Sequence, residues 1–357
     1  MTSPAPRPQV SIIWSAMKAL KGTYSAHVTV PAADLRGKWV LITGSNNGIG
    51  REAAIQLARS GASLVLACRQ PPPYETHPEA VVEECRAASG ERGEDPVEVE
   101  WWECDMADMT SVEALAERWI KTGRPLDILV NNAGMAPGLG QVVLTKDGFE
   151  MCHQVNFLSH TLLTLSLLPS ISKASRPRIL FTTSCTHYLG KYDLSNANAG
   201  GTAYANNKLY LQIWLTELQL RLLQHPDYSH IVVHGLHPGY VKTGIWRPLQ
   251  EASGAARRAD PFTWLLMSLL DWFGIDSRQG SLAIVNAATS SELGLKADGT
   301  DEFRGGAKYM NRIWEDEASP YTRDSSSRKE VWDFIVGELD VEQRSGISHE
   351  IRHVMLA

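Results

Sequence analysis

From Gly37 onward, short apolar runs alternate with stretches whose apolar residues recur at helical spacing, the pattern of βαβ units feeding a parallel sheet. The runs WVLIT, LVLA, DILV, RILFTT and IVVHGL carry no polar alternation. Strands that read this way are covered on both faces, so the pattern predicts an α/β fold: a Rossmann-type, doubly wound parallel sheet in a single domain. Strands are expected near 38–43, 63–68, 97–103, 127–131, 178–183 and 230–236, with a weak one at 307–310. Helices are expected at about 49–59, 79–89, 109–121, 148–171, 203–223, 261–273, 278–291 and 325–338.

Three stretches stand apart from this alternation. Residues 1–36 form an N-terminal extension in which Pro4, Pro6 and Pro8 precede an amphipathic segment from Val10 to Leu20, expected to dock on the body as a helix. Residues 70–96, with Pro71, Pro72 and Pro73, read as a surface excursion around one short helix. In PFTWLLMSLLDWFG, polar Thr263, Ser268 and Asp271 fall within one arc of a helix that starts at Asp260 and Pro261, leaving an apolar face. That face needs a cover: the substrate cleft, a subunit interface or the N-terminal helix, or a membrane surface. A substrate lid over about 240–275 is the preferred reading, which delimits a domain at 37–315 and a C-terminal helical tail at 316–357.

Composition narrows the function. In 357 residues, 34 Lys and Arg against 40 Asp and Glu leave a net charge of −6, which offers phosphate backbones no general attraction. Nucleic acid is therefore not expected as a partner. Five scattered cysteines without a CxxC pair, no secretory signal and no run of 18 apolar residues point to an intracellular, cytoplasmic protein. Peripheral membrane contact is an expectation not favoured. The histidines show no metal-ligand spacing, and no metal is expected.

The first predicted strand runs into Gly44-Ser45-Asn46-Asn47-Gly48-Ile49-Gly50, and a helical pattern follows at once. Glycines let the backbone bend sharply against a pyrophosphate, and the helix start offers unpaired N–H groups with partial positive charge. A dinucleotide belongs there. At the end of the second strand an NAD site would carry an acid for the ribose 2′-hydroxyl; this chain has Ala67-Cys68-Arg69, and an arginine suits a 2′-phosphate. NADP(H) is the expected cofactor, and reduction the expected direction.

With that turn, Asn131-Asn132-Ala133-Gly134, Tyr204-x-x-x-Lys208 and Pro238-Gly239 occur in the order typical of the short-chain dehydrogenase/reductase superfamily. The resemblance spans about 37–315 and is closest in detail to the branch of retinol dehydrogenases and related lipid or secondary-metabolite reductases. It implies a tetrad of Asn156, Ser184, Tyr204 and Lys208: Tyr204 as general acid or base, Ser184 on the substrate oxygen, and Asn156 holding a water that links Lys208 to solvent. It also implies cofactor contacts from the glycine turn, Arg69, Asp105, Met106, Asn132, Ala133, Gly134, Tyr204, Lys208, Pro238, Gly239, Val241 and Thr243. His187, Tyr188, Tyr240, Trp264 and Met267 are expected to wall the substrate pocket. Trp101, Trp102 and Trp314 are expected to be packing residues.

The residues support the same chemistry independently. Tyr204 and Lys208, four apart on a predicted helix, face one cleft. Moving a tyrosine from its usual pKa to neutrality costs about 4 kcal/mol, which one cation about 4 Å away supplies at an effective dielectric near 20. Some departures concern substrate orientation. Thr183 and Asn207 stand where serines are common, and Tyr204 lies twenty positions after Ser184, so the loop over the site should be long. The expected function is an NADP(H)-dependent ketoreductase passing a hydride between the nicotinamide and a lipophilic ketone or secondary alcohol. The alternative is a cofactor-binding protein of the same fold doing non-redox chemistry or regulation. A homodimer is possible through the helices bearing Asn156 and Tyr204.

Overall fold

Along the first strand Val40 and Ile42 point into one apolar layer and Leu41 into another, and all three are fully buried. A strand buried on both faces needs helices above and below, and the computed structural model has them. It describes residues 7–23, 25–90, 97–136, 142–197, 203–242, 274–296, 301–344, 347 and 351–352. Eight strands form one sheet in the order β3-β2-β1-β4-β5-β6-β7-β8. They are β1 Trp39–Thr43, β2 Ser63–Cys68, β3 Val99–Glu103, β4 Ile128–Asn131, β5 Arg178–Thr182, β6 Val232–His237, β7 Lys308–Asn311 and β8 Trp314–Asp316. All neighbours are parallel except β7 and β8. The order reverses between β1 and β4, and in such sheets a ligand crevice opens there, beyond the carboxyl ends of the strands.

Helices α2 (Gly48–Arg59), α3 (Pro78–Gly90) and α8 (Ser277–Thr289) cover one face, where Ala53, Leu57, Val81 and Ile284 pack on Val40, Ile42 and Leu64. On the other lie α4 (Met109–Thr122), α6 (Ser159–Ile171), α7 (Ala203–Gln224) and α9 (Ser325–Glu338). Caps explain several starts: Asp108, Asp276 and Asp324 each accept a backbone N–H of the first turn. Trp332 of α9 stacks on Trp214 of α7 at 5.7 Å, and both are fully buried. Truncating Trp332→Ala should therefore cost about 3–5 kcal/mol of stability, measured by denaturant unfolding.

Two expectations change here. The helix expected over 148–171 is broken: α5 (Met151–His153) passes through a π-helical turn at Gln154–Leu158 before α6 begins. A π turn shifts the phase of the helix, but nearly every residue from Gln154 to Leu168 is buried, so no one-sided apolar pattern is there to show the shift. Trp314 sits on β8, which ends the sheet and pairs only with β7, and 44% of its surface is exposed.

The extension folds as α1 (Ile12–Lys21) and docks on the turn Cys185–Leu189 that follows β5. Trp14 meets Tyr188 edge-on at 5.5 Å, Lys18 and Lys21 pair with Asp316, and His237 Nε2 donates to the Gly22 carbonyl at 3.1 Å. No helix among the described residues is long and apolar enough to cross a membrane.

Candidate active site

The carboxyl ends of β1, β4 and β5 are stitched together by Thr43 and Asn132. Thr43 Oγ1 accepts the backbone N–H groups of Asn132 and Ala133, both at 2.9 Å, while Asn132 Nδ2 donates to the carbonyls of Thr43 and Gly44 at 3.0 and 3.2 Å. Thr182 at the end of β5 donates to Asn132 Oδ1 at 3.3 Å. Gly44 turns at φ +64, and a Cβ there would stand 2.7 Å from Ala133 Cα. A Cβ on Gly50 would overlap the Gly44 carbonyl oxygen and Asn132 Nδ2.

That cradle can be tested for a pyrophosphate. Asn47, at the cap position of α2, makes no side-chain bond to the helix start, so the first N–H groups keep their capacity for an anion. The residues present fit a dinucleotide. Asp105 closes the turn after β3 by accepting from Ala107 N at 2.9 Å, and the Met106 carbonyl accepts from Ser159. Gly239 and Val241 lie where the chain pairs with Ile275, whose N–H donates to the Tyr240 carbonyl at 2.9 Å. Thr243 lies outside the described residues.

The four tetrad residues converge at these strand ends. Ser184 follows β5 and hydrogen-bonds Tyr204 on α7. Lys208, one turn along α7, donates to the Thr182 carbonyl at 2.8 Å, with Nζ 5.7 Å from the Tyr204 ring centre. The carbonyl thus holds the ammonium beside the tyrosine ring. Burial pushes the Tyr204 hydroxyl well above its usual range, with only the Ser184 bond opposing it. The same burial pulls Lys208 down to about 8.

The sign of the Lys208 shift sets a stability test. Between about pH 8 and 10 the unfolded chain binds a proton that native Lys208 has lost, so this group favours the native state increasingly as pH rises. Raising the pH from 7 to 9.5 should stabilise the wild type relative to Lys208→Met in denaturant unfolding. A constant difference would mean that the ammonium is not desolvated.

Asn156 lies within the π turn and is fully buried. Its amide bridges to one residue: Nδ2 donates to the Met135 carbonyl at 2.9 Å and Oδ1 accepts from Met135 N at 2.8 Å. This clamps the segment after β4 over the cleft.

His160, which the sequence does not single out as functional, holds the arrangement from behind. Its ring donates to the Asn156 carbonyl, and Nε2 accepts the Thr43 hydroxyl at 3.0 Å, a tautomer assigned from the network. Burial lowers it to about 3, so it stays neutral. Its spacing of four from Asn156 on one helix was the available signal. His153 bonds Asn207 and Glu338 at 2.8 and 2.7 Å, tying the helix of Asn156 to α9.

Among the expected pocket residues, His187 and Tyr188 are packed inward. His187 is fully buried, donating through Nδ1 to the Ser184 carbonyl at 2.7 Å and accepting Ser319 N–H at Nε2. Tyr188 is buried beneath α1 and donates to the Glu317 carbonyl. The turn Cys185–Leu189 packs both inward, a placement that α1 and the chain after β8 decide together. Tyr240 stays partly exposed and hydrogen-bonds Cys185 close to Tyr204. Trp264 and Met267 lie outside the described residues. Arg69 stands at the end of β2, half-exposed, with Nη2 donating to Glu75 at 2.9 Å.

A glycine turn, a Ser–Tyr–Lys cluster and the parallel sheet that carries them coincide with a match to the short chain dehydrogenase family over residues 38–254. The chain belongs to that family. Relatives of this dehydrogenase include mouse retinol dehydrogenase 13, 31% identical over 84% of this chain and 83% of the relative, and mouse polyprenol dehydrogenase, 32% identical over 88% and 87%. Its fold is shared with an uncharacterized Mycobacterium paratuberculosis protein (TM-score 0.60, 23% identity, 88% and 98% of the two chains). It is shared too with the Pseudomonas aeruginosa RhlG/NADP active-site complex (TM-score 0.52, 22% identity, 74% and 93%). The oxidoreductase reading and the retinol dehydrogenase-like branch are thereby shown.

Proposed function

We propose that this dehydrogenase transfers a hydride between NADP(H) and a lipophilic ketone or secondary alcohol, with Tyr204 as the general acid or base. The observation that carries the reading is the Ser184–Tyr204 hydrogen bond beside the glycine cradle, with Lys208 one helical turn away. A bound nicotinamide supplies or accepts the hydride. The remaining work falls to side chains of the chain itself. Ser184 Oγ and Tyr204 Oη converge on one point, so a carbonyl oxygen placed there receives two hydrogen bonds, and Tyr204 delivers its proton as charge builds on that oxygen.

Burial keeps Tyr204 protonated at neutral pH, the state an acid needs in reduction, while weakening it as a donor. In the oxidative direction the hydroxyl must first lose that proton, and a cation nearby favours the loss. Lys208 stands near enough to contribute, and its carbonyl tether keeps it oriented.

The substrate class is supported by relatives named for apolar alcohols, retinol and polyprenol. Arg69 supports the 2′-phosphate. Cofactor absorbance at 340 nm, followed with carbonyl substrates of increasing apolar chain length, tests the reading: kcat/KM should climb with chain length. No absorbance change with any carbonyl, despite cofactor binding, would favour non-redox chemistry in the same cleft.

A further inference from the structure

Glu75 occupies a position that the proposed function does not use. The chain leaves β2 at Arg69, passes Pro71, Pro72 and Pro73, and returns across the glycine turn. There Asn46 Nδ2 donates to Glu75 Oε2 at 3.3 Å and to the Thr76 carbonyl at 3.2 Å, and Thr76 N donates to Asn47 Oδ1 at 3.4 Å. Arg69 Nη2 donates to the other Glu75 oxygen at 2.9 Å. One carboxylate thus bridges the phosphate-binding turn and the arginine that reads the ribose. Prolines restrict the backbone before it, which limits the freedom of the loop to swing away.

We propose that Glu75 is a second determinant of cofactor choice, sharing the Arg69 guanidinium with the cofactor and weighting the site toward a free ribose 2′-hydroxyl. The inference rests on the reading of Arg69 given above. Arg69 by itself favours a 2′-phosphate, whose near-double negative charge pairs well with a guanidinium. Any phosphate bound to that group stands one guanidinium's width from the Glu75 carboxylate, and like charges at such a distance repel. A 2′-hydroxyl meets no such penalty, since it is neutral and can donate to a carboxylate, as acidic residues do in sites that prefer the unphosphorylated cofactor. An exposed ion pair adds little to stability, so folding alone gives this pair no strong reason to exist.

The consequence is a narrowed preference: the chain should take both cofactor forms, with the phosphorylated one ahead by less than Arg69 alone would allow. Calorimetric titration of the full-length protein with adenosine 2′,5′-bisphosphate and with 5′-AMP measures this without turnover. Glu75→Gln keeps an acceptor for Asn46 and removes only the charge. It should raise the affinity ratio of bisphosphate to monophosphate about tenfold, as expected for unit and double charges a few ångströms apart near water.

Glu75→Asp, which retains the charge, should stay near the wild-type ratio, and Arg69→Ala should lower it about a hundredfold. If Arg69→Ala lowers the ratio while Glu75→Gln leaves it unchanged, Glu75 has no such role and Arg69 stands. A Glu75→Asp ratio raised as far as that of Glu75→Gln overturns the proposal too, because shape and not charge would then be acting. Unchanged ratios in both Glu75→Gln and Arg69→Ala would remove the reading of Arg69 itself.

Discussion

Tyr204→Phe should bind NADPH as the wild type does and lose a factor of about 10³ or more in turnover, the upper range for proton transfer by a placed side chain. The phenyl ring keeps its volume and its place one turn from Lys208, so the cradle of Gly44, Gly48 and Gly50 is untouched. What disappears is the one hydroxyl that faces Ser184 with a dissociable proton. The loss is specific to that hydroxyl: the Asn156 amide carries no dissociable proton in this range, and the Lys208 ammonium is held at the Thr182 carbonyl. Cofactor titration by fluorescence and steady-state rates on the same preparation separate binding from chemistry. A Phe variant with more than about a tenth of the wild-type rate would take the proton-transfer role away from Tyr204.

Gly50→Ala should weaken cofactor binding by about 30- to 300-fold, or roughly 2–3.4 kcal/mol. Helix propensity pulls the other way, since alanine gains up to about 1 kcal/mol over glycine inside α2. The added Cβ nonetheless overlaps the Gly44 carbonyl oxygen, which belongs to backbone and cannot rotate aside. Relief requires the turn to open, which moves both the start of α2 and the Asn132 bonds to Thr43 and Gly44. Overpacking of this kind costs about 1–3 kcal/mol even where side chains can yield. Calorimetric titration with NADPH checks it, and unaltered affinity would show that α2 can shift without disturbing the phosphate site.

Much of this could be read from the chain because local rules dominate there. Continuous apolar runs fix strands covered on both faces, and all seven expected strands begin and end within two residues of their observed bounds. The glycine turn was legible because strand, bend and helix start follow one another without interruption, and Tyr204 with Lys208 because a spacing of four on a helix puts two side chains on one face. Between them these local signals determined the fold, the glycine turn and the shared face of Tyr204 and Lys208, whereas Ser184 and Asn156 came from the family resemblance.

Tertiary structure decided what those groups touch. That Lys208 reaches the Thr182 carbonyl while standing beside the Tyr204 ring depends on how α7 crosses the end of β5, a relation between elements far apart in sequence. The inward turning of His187 and Tyr188 needed α1 and the chain after β8 to close over them, and nothing in CTHYL announces that cover. The π turn at Asn156 and the carboxylate of Glu75 beside Arg69 have the same origin. Each is a long-range contact in which a buried or charged group finds its partner only once the sheet has brought the two segments together. Sequence periodicity reports which face of an element is buried, and it carries no information about the neighbour that buries it.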